Sequence, residues 1–242
     1  MMTQGGLEGI PLPLERTMSD LEMRIMADIV RSIKINGFST AKADWQLQRL
    51  MQLGESKEKI KKWIKNALEA TDEEIERIFS DEVYEQYYKY KRFYDPFGSG
   101  QIPFEKNLEL QALITAVKVQ TKESFRNITN SLGFAIRDIT TGKTYDVPLT
   151  QFYRDTLDGA VLDIMSGSVS YDVAIGRAIN TMTNSGLRTV HFNTGHSDRV
   201  EVAARRAIMT GFRQVQGKIN EQVAHDLGTD TYEVSYYIGA RP

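Results

Sequence analysis

The residue types that most often do chemistry are few in this sequence and poorly spaced for it. There are three histidines, His191, His196 and His225. The first two flank an expected turn, with Asp198 and Glu201 near them in sequence, an arrangement that would suit a cation. No pair has the i, i+4 spacing of a helical zinc motif, so polar loop histidines are the plainer reading. Asp155 and Asp158 stand one helical turn apart, which acid–base catalysis could use, but exposed helical acids do the same routinely. With no cysteine, thiol catalysis, disulfides and Cys-liganded metals are excluded. Phosphate loops, dinucleotide glycine fingerprints and strand-to-helix nucleophile elbows are missing from the sequence. The expectation is a non-enzyme with no cofactor and no metal.

Patterns suited to binding are more prominent. Leu47 to Trp63 reads as helix, Leu53-Gly54 turn, polar cap, and a second helix carrying Ile60 and Trp63, an imitation of a DNA-binding helix-turn-helix at 47–68. Lys57, Lys61, Lys62 and Lys65 could neutralise phosphates there. Arg, Asn and Gln, the usual base readers, are absent from that helix's first turn, and a helical hairpin with a solvated lysine face needs the same stop and cap. Further on, Tyr84, Tyr87, Tyr88, Tyr90, Phe93 and Tyr94 alternate with Lys89, Lys91 and Arg92. This cluster suits stacking on single-stranded bases, a protein interface, or packing onto the next part of the chain. Finally, Arg199, Arg206 and Arg213 recur every seven residues on a long helix. They oppose an apolar stripe of Ala204, Ile208, Phe212, Val215, Ile219 and Val223. A basic row turned from the core fits an acidic partner or a solvated face.

The elements that must carry these residues are mostly helical. The chain has 242 residues, a net charge of -2, 41% apolar and 26% charged residues. That is enough to bury a core and too balanced for an overall basic nucleic-acid coat. No run approaches the roughly 18 apolar residues of a membrane span, and Met1–Leu14 has no secretory pattern. Residues 1–14 read as an extended arm and 15–95 as a helical N-terminal domain. Its capping boxes are Ser19-Asp20-Leu21-Glu22 and Thr71-Asp72-Glu73-Glu74, with helix breaks at Gly54 and Ser56. The Pro- and Gly-containing stretch 96–104 reads as a linker. Residues 105–242 follow as a C-terminal helical domain. In it, a helix from Glu105 to about Ser131 precedes a hairpin over Phe134–Val147 that turns at Gly142. Helices at Leu149–Met165 and Tyr171–Ser185 end at Gly167 and Gly186. A short strand at Leu187–Asn193, a helix over Asp198–Asp226 and a strand at Tyr232–Ile238 complete the reading, the two strands pairing. The fold class is mainly α with small β-hairpins (α+β), in two lobes.

The order of motifs from Tyr153 onward is more specific. Tyr153-Arg154-Asp155-Thr156-Leu157-Asp158-Gly159-Ala160-Val161 is followed by Ser185-Gly186-Leu187-Arg188-Thr189-Val190. Next come Gly195-His196-Ser197-Asp198-Arg199-Val200-Glu201-Val202-Ala203-Ala204-Arg205-Arg206-Ala207, Asp226-Leu227-Gly228 and Gly239-Ala240-Arg241-Pro242. This series resembles the phage minor capsid protein family, encoded beside the portal gene of many tailed phages and prophages. Asp44-Trp45-Gln46-Leu47 and Leu53-Gly54 extend the resemblance into the N-terminal half. The resemblance implies a structural head-morphogenesis protein of the virion, near the portal or inner capsid wall, passing through the host cytoplasm during assembly. Implied partners are the portal protein, the major capsid protein or packaged DNA, with several copies per assembly and no membrane. Arg199, Arg206, Arg213, Tyr87, Tyr88 and Tyr90 become the candidate partner-binding residues. In the family, Gly-Ala-Arg-Pro usually continues into a His- and Trp-Gln-Gly-containing stretch; here the sequence ends at Pro242, so no activity of that stretch is carried over.

Overall fold

In the computed structural model the described residues are 9–36, 42–94, 100–138, 140–191 and 196–229; within them, the side chains of 34–36, 42–53, 161, 165, 171, 190, 191 and 196 are not described. Helix α1 (Leu12–Asn36) is built on Leu14, Met18, Leu21, Ile25, Ile29 and Ile33, each at most 2% exposed. Burying side chains of this size stabilises by about 1.5–3 kcal/mol each. That burial explains why the helix begins before Ser19. Leu14 and Met18 extend the stripe upstream, Pro13 is tolerated in a first turn, and the supposed capping box lies inside the helix. The arm expected over 1–14 is not extended where it is described: Gly9 is already helical and Leu12–Leu14 belong to α1, while residues 1–8 lie outside the described residues.

Helix α2 runs unbroken over Lys42–Arg77. The breaks expected at Gly54, Ser56 and Thr71 do not occur, because each polar signal is answered from within the fold. The Thr71 hydroxyl donates to the Ala67 carbonyl at 2.7 Å and is fully buried. Ser56 is buried against Tyr153, with 2.6 Å between the hydroxyls. A π-helical turn (Ile78–Glu82) follows, then α3 (Val83–Lys89) and α4 (Lys91–Tyr94). After a 3-10 turn at Phe104–Lys106, Asn107 caps α5 (Leu108–Asn130) by accepting the Leu110 N–H at 3.1 Å.

Strands β1 (Leu132–Arg137) and β2 (Thr144–Pro148) form the expected hairpin, with Phe134 opposite Val147 and Gly142 at φ +68° in the turn. Helices α6 (Leu149–Met165) and α7 (Tyr171–Ser185) match the sequence reading, and Gly167 and Gly186 adopt φ +70° and +66°. Strand β3 (Arg188–His191) pairs with both β1 and β4 (His196–Arg199), all antiparallel, giving the order β2-β1-β3-β4. Two expectations change here. Asp198 and Arg199 are in a strand, so the last helix, α8, begins at Val200 and ends at Asp226. Both sides of β3 are occupied, and the 232–238 strand expected to pair with it lies outside the described residues.

Packing crosses the sequence division at 96–104. Helix α1 lies against α2 on one side and against α6, α7 and α8 on others, while α5 packs on α2 and α8. The buried apolar side chains, from Ile10 to Val223, form one connected cluster. Among the described residues, no helix is long and apolar enough to cross a membrane.

Candidate assembly surface

Helix α8 presents the most sharply divided surface. Its stripe of Ala204, Ile208, Phe212, Val215, Ile219 and Val223 is buried throughout, as the spacing predicts. It seats against α5 where Gly211 permits close approach: a Cβ there would meet Thr121 Oγ1 at 2.6 Å and Val117 Cγ1 at 3.0 Å. Outward, Arg205, Arg206 and Arg213 are exposed. Arg205 Nη1 contacts Glu15 Oε1 at 3.0 Å, and Arg206 Nη1 contacts Asp198 Oδ2 at 2.6 Å. Arg213 makes no ion pair among the described residues. A groove of about 310 Å3 runs between α5 and α8, lined by Gln120, Ser124, Ile128, Asp198, Arg206 and Ala207 among others.

Arg199 does not belong to that helical row. It precedes α8 at the end of β4, with φ -61° and ψ 143°. Its guanidinium lies against Gly186, where a Cβ would meet Nε at 2.5 Å. Nε also reaches Glu201 Oε1 at 3.2 Å, and Nη2 lies 3.9 Å from Glu22 Oε1. Glu22 is only 8% exposed and accepts the Leu187 N–H at 2.8 Å. Burial is the main reason its carboxyl is pushed above the usual range; the Leu187 N–H pulls it back, Glu201 raises it and Arg199 lowers it. Arg199 thus ties α1, α7 and the start of α8 together, a structural task. The pair Arg206 and Arg213 keeps the outward heptad spacing.

The candidate tyrosines are spent largely inside the molecule. Tyr87 is 3% exposed and donates to the Ile102 carbonyl at 2.6 Å. The Tyr88 hydroxyl accepts the Phe104 N–H at 3.2 Å, and Tyr90 donates to Asn220 Oδ1 at 2.5 Å. Tyr94 donates to Asp226 Oδ2 at 2.9 Å; burial, then this carboxylate, holds its phenol well above the ordinary tyrosine range. The aromatic cluster is therefore the seam joining α3 and α4 to residues 102–107 and to the end of α8. Of the three candidates, Tyr87 offers a partner almost no surface, whereas the neighbouring Tyr84 is 43% exposed.

The helix-turn-helix reading of 47–68 is overturned, since the segment is one straight-through helix without a turn. Lys57, Lys61, Lys62 and Lys65 do lie on the exposed surface, with Lys61 2.7 Å from Glu58 and Lys65 3.7 Å from Glu69. Lys57, Lys61 and Arg154 border a cleft of about 470 Å3 whose walls include Ile60, Ile64 and Tyr153. Beneath it, the Tyr153 hydroxyl donates to Asp28 Oδ2 at 3.0 Å and meets Ser32 at 2.5 Å and Ser56 at 2.6 Å. Burial above all pushes this phenol up to about 12. A neutral, donating tyrosine in such a network is a packing device.

Sequence reasoning missed a second cleft, of about 860 Å3, between the π-helical turn and α5, where Asp81, Tyr84, Glu85, Phe104 and Glu105 converge. Segments separated by the 96–104 stretch build it, so no local motif announced it. The adjacency of Asp81, Tyr84 and Glu85 was the one available signal. No group of three or more His, Asp or Glu residues suited to a metal occurs among the described residues. His191 and His196 are register partners across β3 and β4.

Comparison with curated proteins returns no match, and comparison with solved structures returns none. Comparison with protein families does: the family described as phage minor capsid protein 2 matches residues 5–242. That span takes in every element described above, from α1 through the four-stranded sheet to the arginine-bearing helix, and the chain belongs to the phage minor capsid protein 2 family.

Proposed function

We propose that the chain works as a non-catalytic structural component of a tailed-phage head, docked on the portal or the inner capsid wall, in several copies, assisting assembly, genome packaging or ejection. The family match over residues 5–242 carries the reading. The distribution of chemistry on the molecule supports it. Buried hydroxyls and carboxylates such as Tyr153, Asp28 and Glu22 are engaged in joining helices. Other charged groups, Arg213 and the Asp198-paired Arg206 among them, stand on the outside of the 27-residue helix α8. Rigid presentation of charge favours docking, because little side-chain and backbone order remains to be lost on association.

The test is co-expression of the tagged chain with its portal protein, purification through the tag, and imaging of the complex. The expected result is co-purification with density attached to the portal ring. A portal that elutes free while the chain binds the capsid shell would move the site to the inner wall. Binding to neither would refute the proposal.

A further inference from the structure

The 860 Å3 cleft beside the π-helical turn has the chemistry of a guanidinium receptor. A π-helical insertion at Ile78–Glu82 displaces the backbone by one residue. Asp81 and Glu85, spaced i, i+4, then line the same cleft, with Tyr84 between them. Across the gap stand Phe104 and Glu105 of the 3-10 turn, and the Phe104 ring meets Tyr84 edge-on at 5.4 Å. None of the three carboxylates makes an ion pair among the described residues, and all three are exposed. The one cation on the rim, Lys118, is already held 2.7 Å from Glu76. Unpaired carboxylates beside aromatic faces attract a planar cation through bidentate hydrogen bonds and the ring quadrupole.

The same chain carries matching cations elsewhere. Arg213, which makes no ion pair among the described residues, and Arg206, whose 59% exposed side chain also contacts Asp198, lie on one side of α8, two helical turns and about 10 Å apart. Arg206 lines the groove whose α5 wall carries Gln120, Ser124 and Asn127, and Arg213 follows it two turns along α8, whereas the acidic cleft is lined on α5 by Gln111, Ile114 and Lys118. At about 100° per residue these two sets of α5 positions point roughly 145° apart. One copy's arginines consequently face away from its own cleft. Two complementary patches on different sides of one molecule make a head-to-tail contact, which closes into a ring or continues as a filament.

We infer that the cleft formed by Asp81, Tyr84, Glu85, Phe104 and Glu105 receives the Arg206–Arg213 row of a second copy of this chain. The inference rests on the assembly reading only for its use of the arginine row. It is tested on the purified chain alone, so its failure leaves portal docking untouched, and a failure to bind portal leaves it standing.

Sedimentation velocity of the full chain is measured up to its solubility limit, with folding of each variant checked by circular dichroism. The parent should self-associate, and more weakly by at least tenfold when salt rises from about 50 to about 500 mM. Reversing the cleft (Asp81→Lys with Glu85→Lys) or the row (Arg206→Glu with Arg213→Glu) should each leave monomers. Mixing the two reversed variants should restore association, because each then complements the other. Where a reversal unfolds the chain, the neutral pairs Asp81→Asn with Glu85→Gln and Arg206→Gln with Arg213→Gln should weaken association about three- to tenfold. A parent that stays monomeric at low salt overturns the inference. So does a folded variant that associates as the parent does, or a mixture of folded reversed variants that stays monomeric.

Discussion

Replacing Arg199 by Gln should lower stability, whereas the same change at Arg213 should not. Arg199 and Arg213 look equivalent in sequence, but only Arg199 touches a buried acid. Its Nη2 is 3.9 Å from Glu22, which is 8% exposed, and its Nε is 3.2 Å from Glu201. Breaking a fully buried pair costs about 3–5 kcal/mol. Arg199 itself is 49% exposed and the longer contact is weak, so solvent screening cuts the expected cost to about 1–2 kcal/mol. For a chain of this size that corresponds to a fall in Tm of about 2–8 °C. Arg213 is an exposed charge, expected to contribute no more than about 0.5 kcal/mol, while Arg206, 2.6 Å from Asp198, should contribute up to about 1 kcal/mol.

The dependence on pH gives a second readout. The folded-state pKa of Glu22 is raised, so its protonated form is favoured by folding. That contribution is fully present below the ordinary carboxylate pKa and is lost as pH rises through the folded value. Without Arg199 the ionised form has lost a stabilising neighbour. The deficit of Arg199→Gln should accordingly be largest at neutral pH and shrink as pH falls toward the carboxylate range. Thermal melts followed by circular dichroism, comparing each variant with the parent at each pH, measure this. An Arg199→Gln melt equal to that of Arg213→Gln at pH 7, or a deficit that grows on acidification, would refute the reasoning.

Along α8, Gly217→Ala should stabilise by about 0.5–1 kcal/mol from helix propensity, since nothing lies within 4 Å of the new methyl. Gly211→Ala should lose that gain to about 1–3 kcal/mol of overpacking against Thr121, Val117 and Phe79, so equal Tm shifts at the two sites would contradict the packing described. Tyr153→Phe removes the donor to Asp28, which is 2% exposed, and should cost about 1–3 kcal/mol by denaturant titration. A fragment ending at residue 95 leaves the α1 face that packs on α6, α7 and α8 uncovered; it should show no cooperative melt, and a sharp one would establish an independent N-terminal domain.

Elements set by short-range chemistry were legible from sequence. Helices α6 and α7 end at glycines whose positive φ explains their presence, and Gly142 does the same for the hairpin. The apolar stripes of α1 and α8 were equally plain, because burial at three- and four-residue spacing has no other use. Misreadings arose where a partner distant in sequence decides the outcome. Ser56 resembles a cap until Tyr153, 97 residues away, occupies its hydroxyl. Glu22 resembles the end of a capping box until Leu187 claims its carboxylate. Arg199 completes a heptad on paper, yet β4 pairing with β3, Arg188 opposite Arg199, takes it out of the helix. The acidic cleft was illegible for the same reason, since its two walls meet only after α5 folds back on the π-helical turn.

The most direct test of the assembly role is imaging of heads purified from cells that produce the tagged chain. The account predicts additional density at the portal vertex or on the adjoining inner wall, diminished in heads made with Arg206→Glu and Arg213→Glu. Heads that lack the chain altogether, or that carry it only on the outer surface, would contradict it.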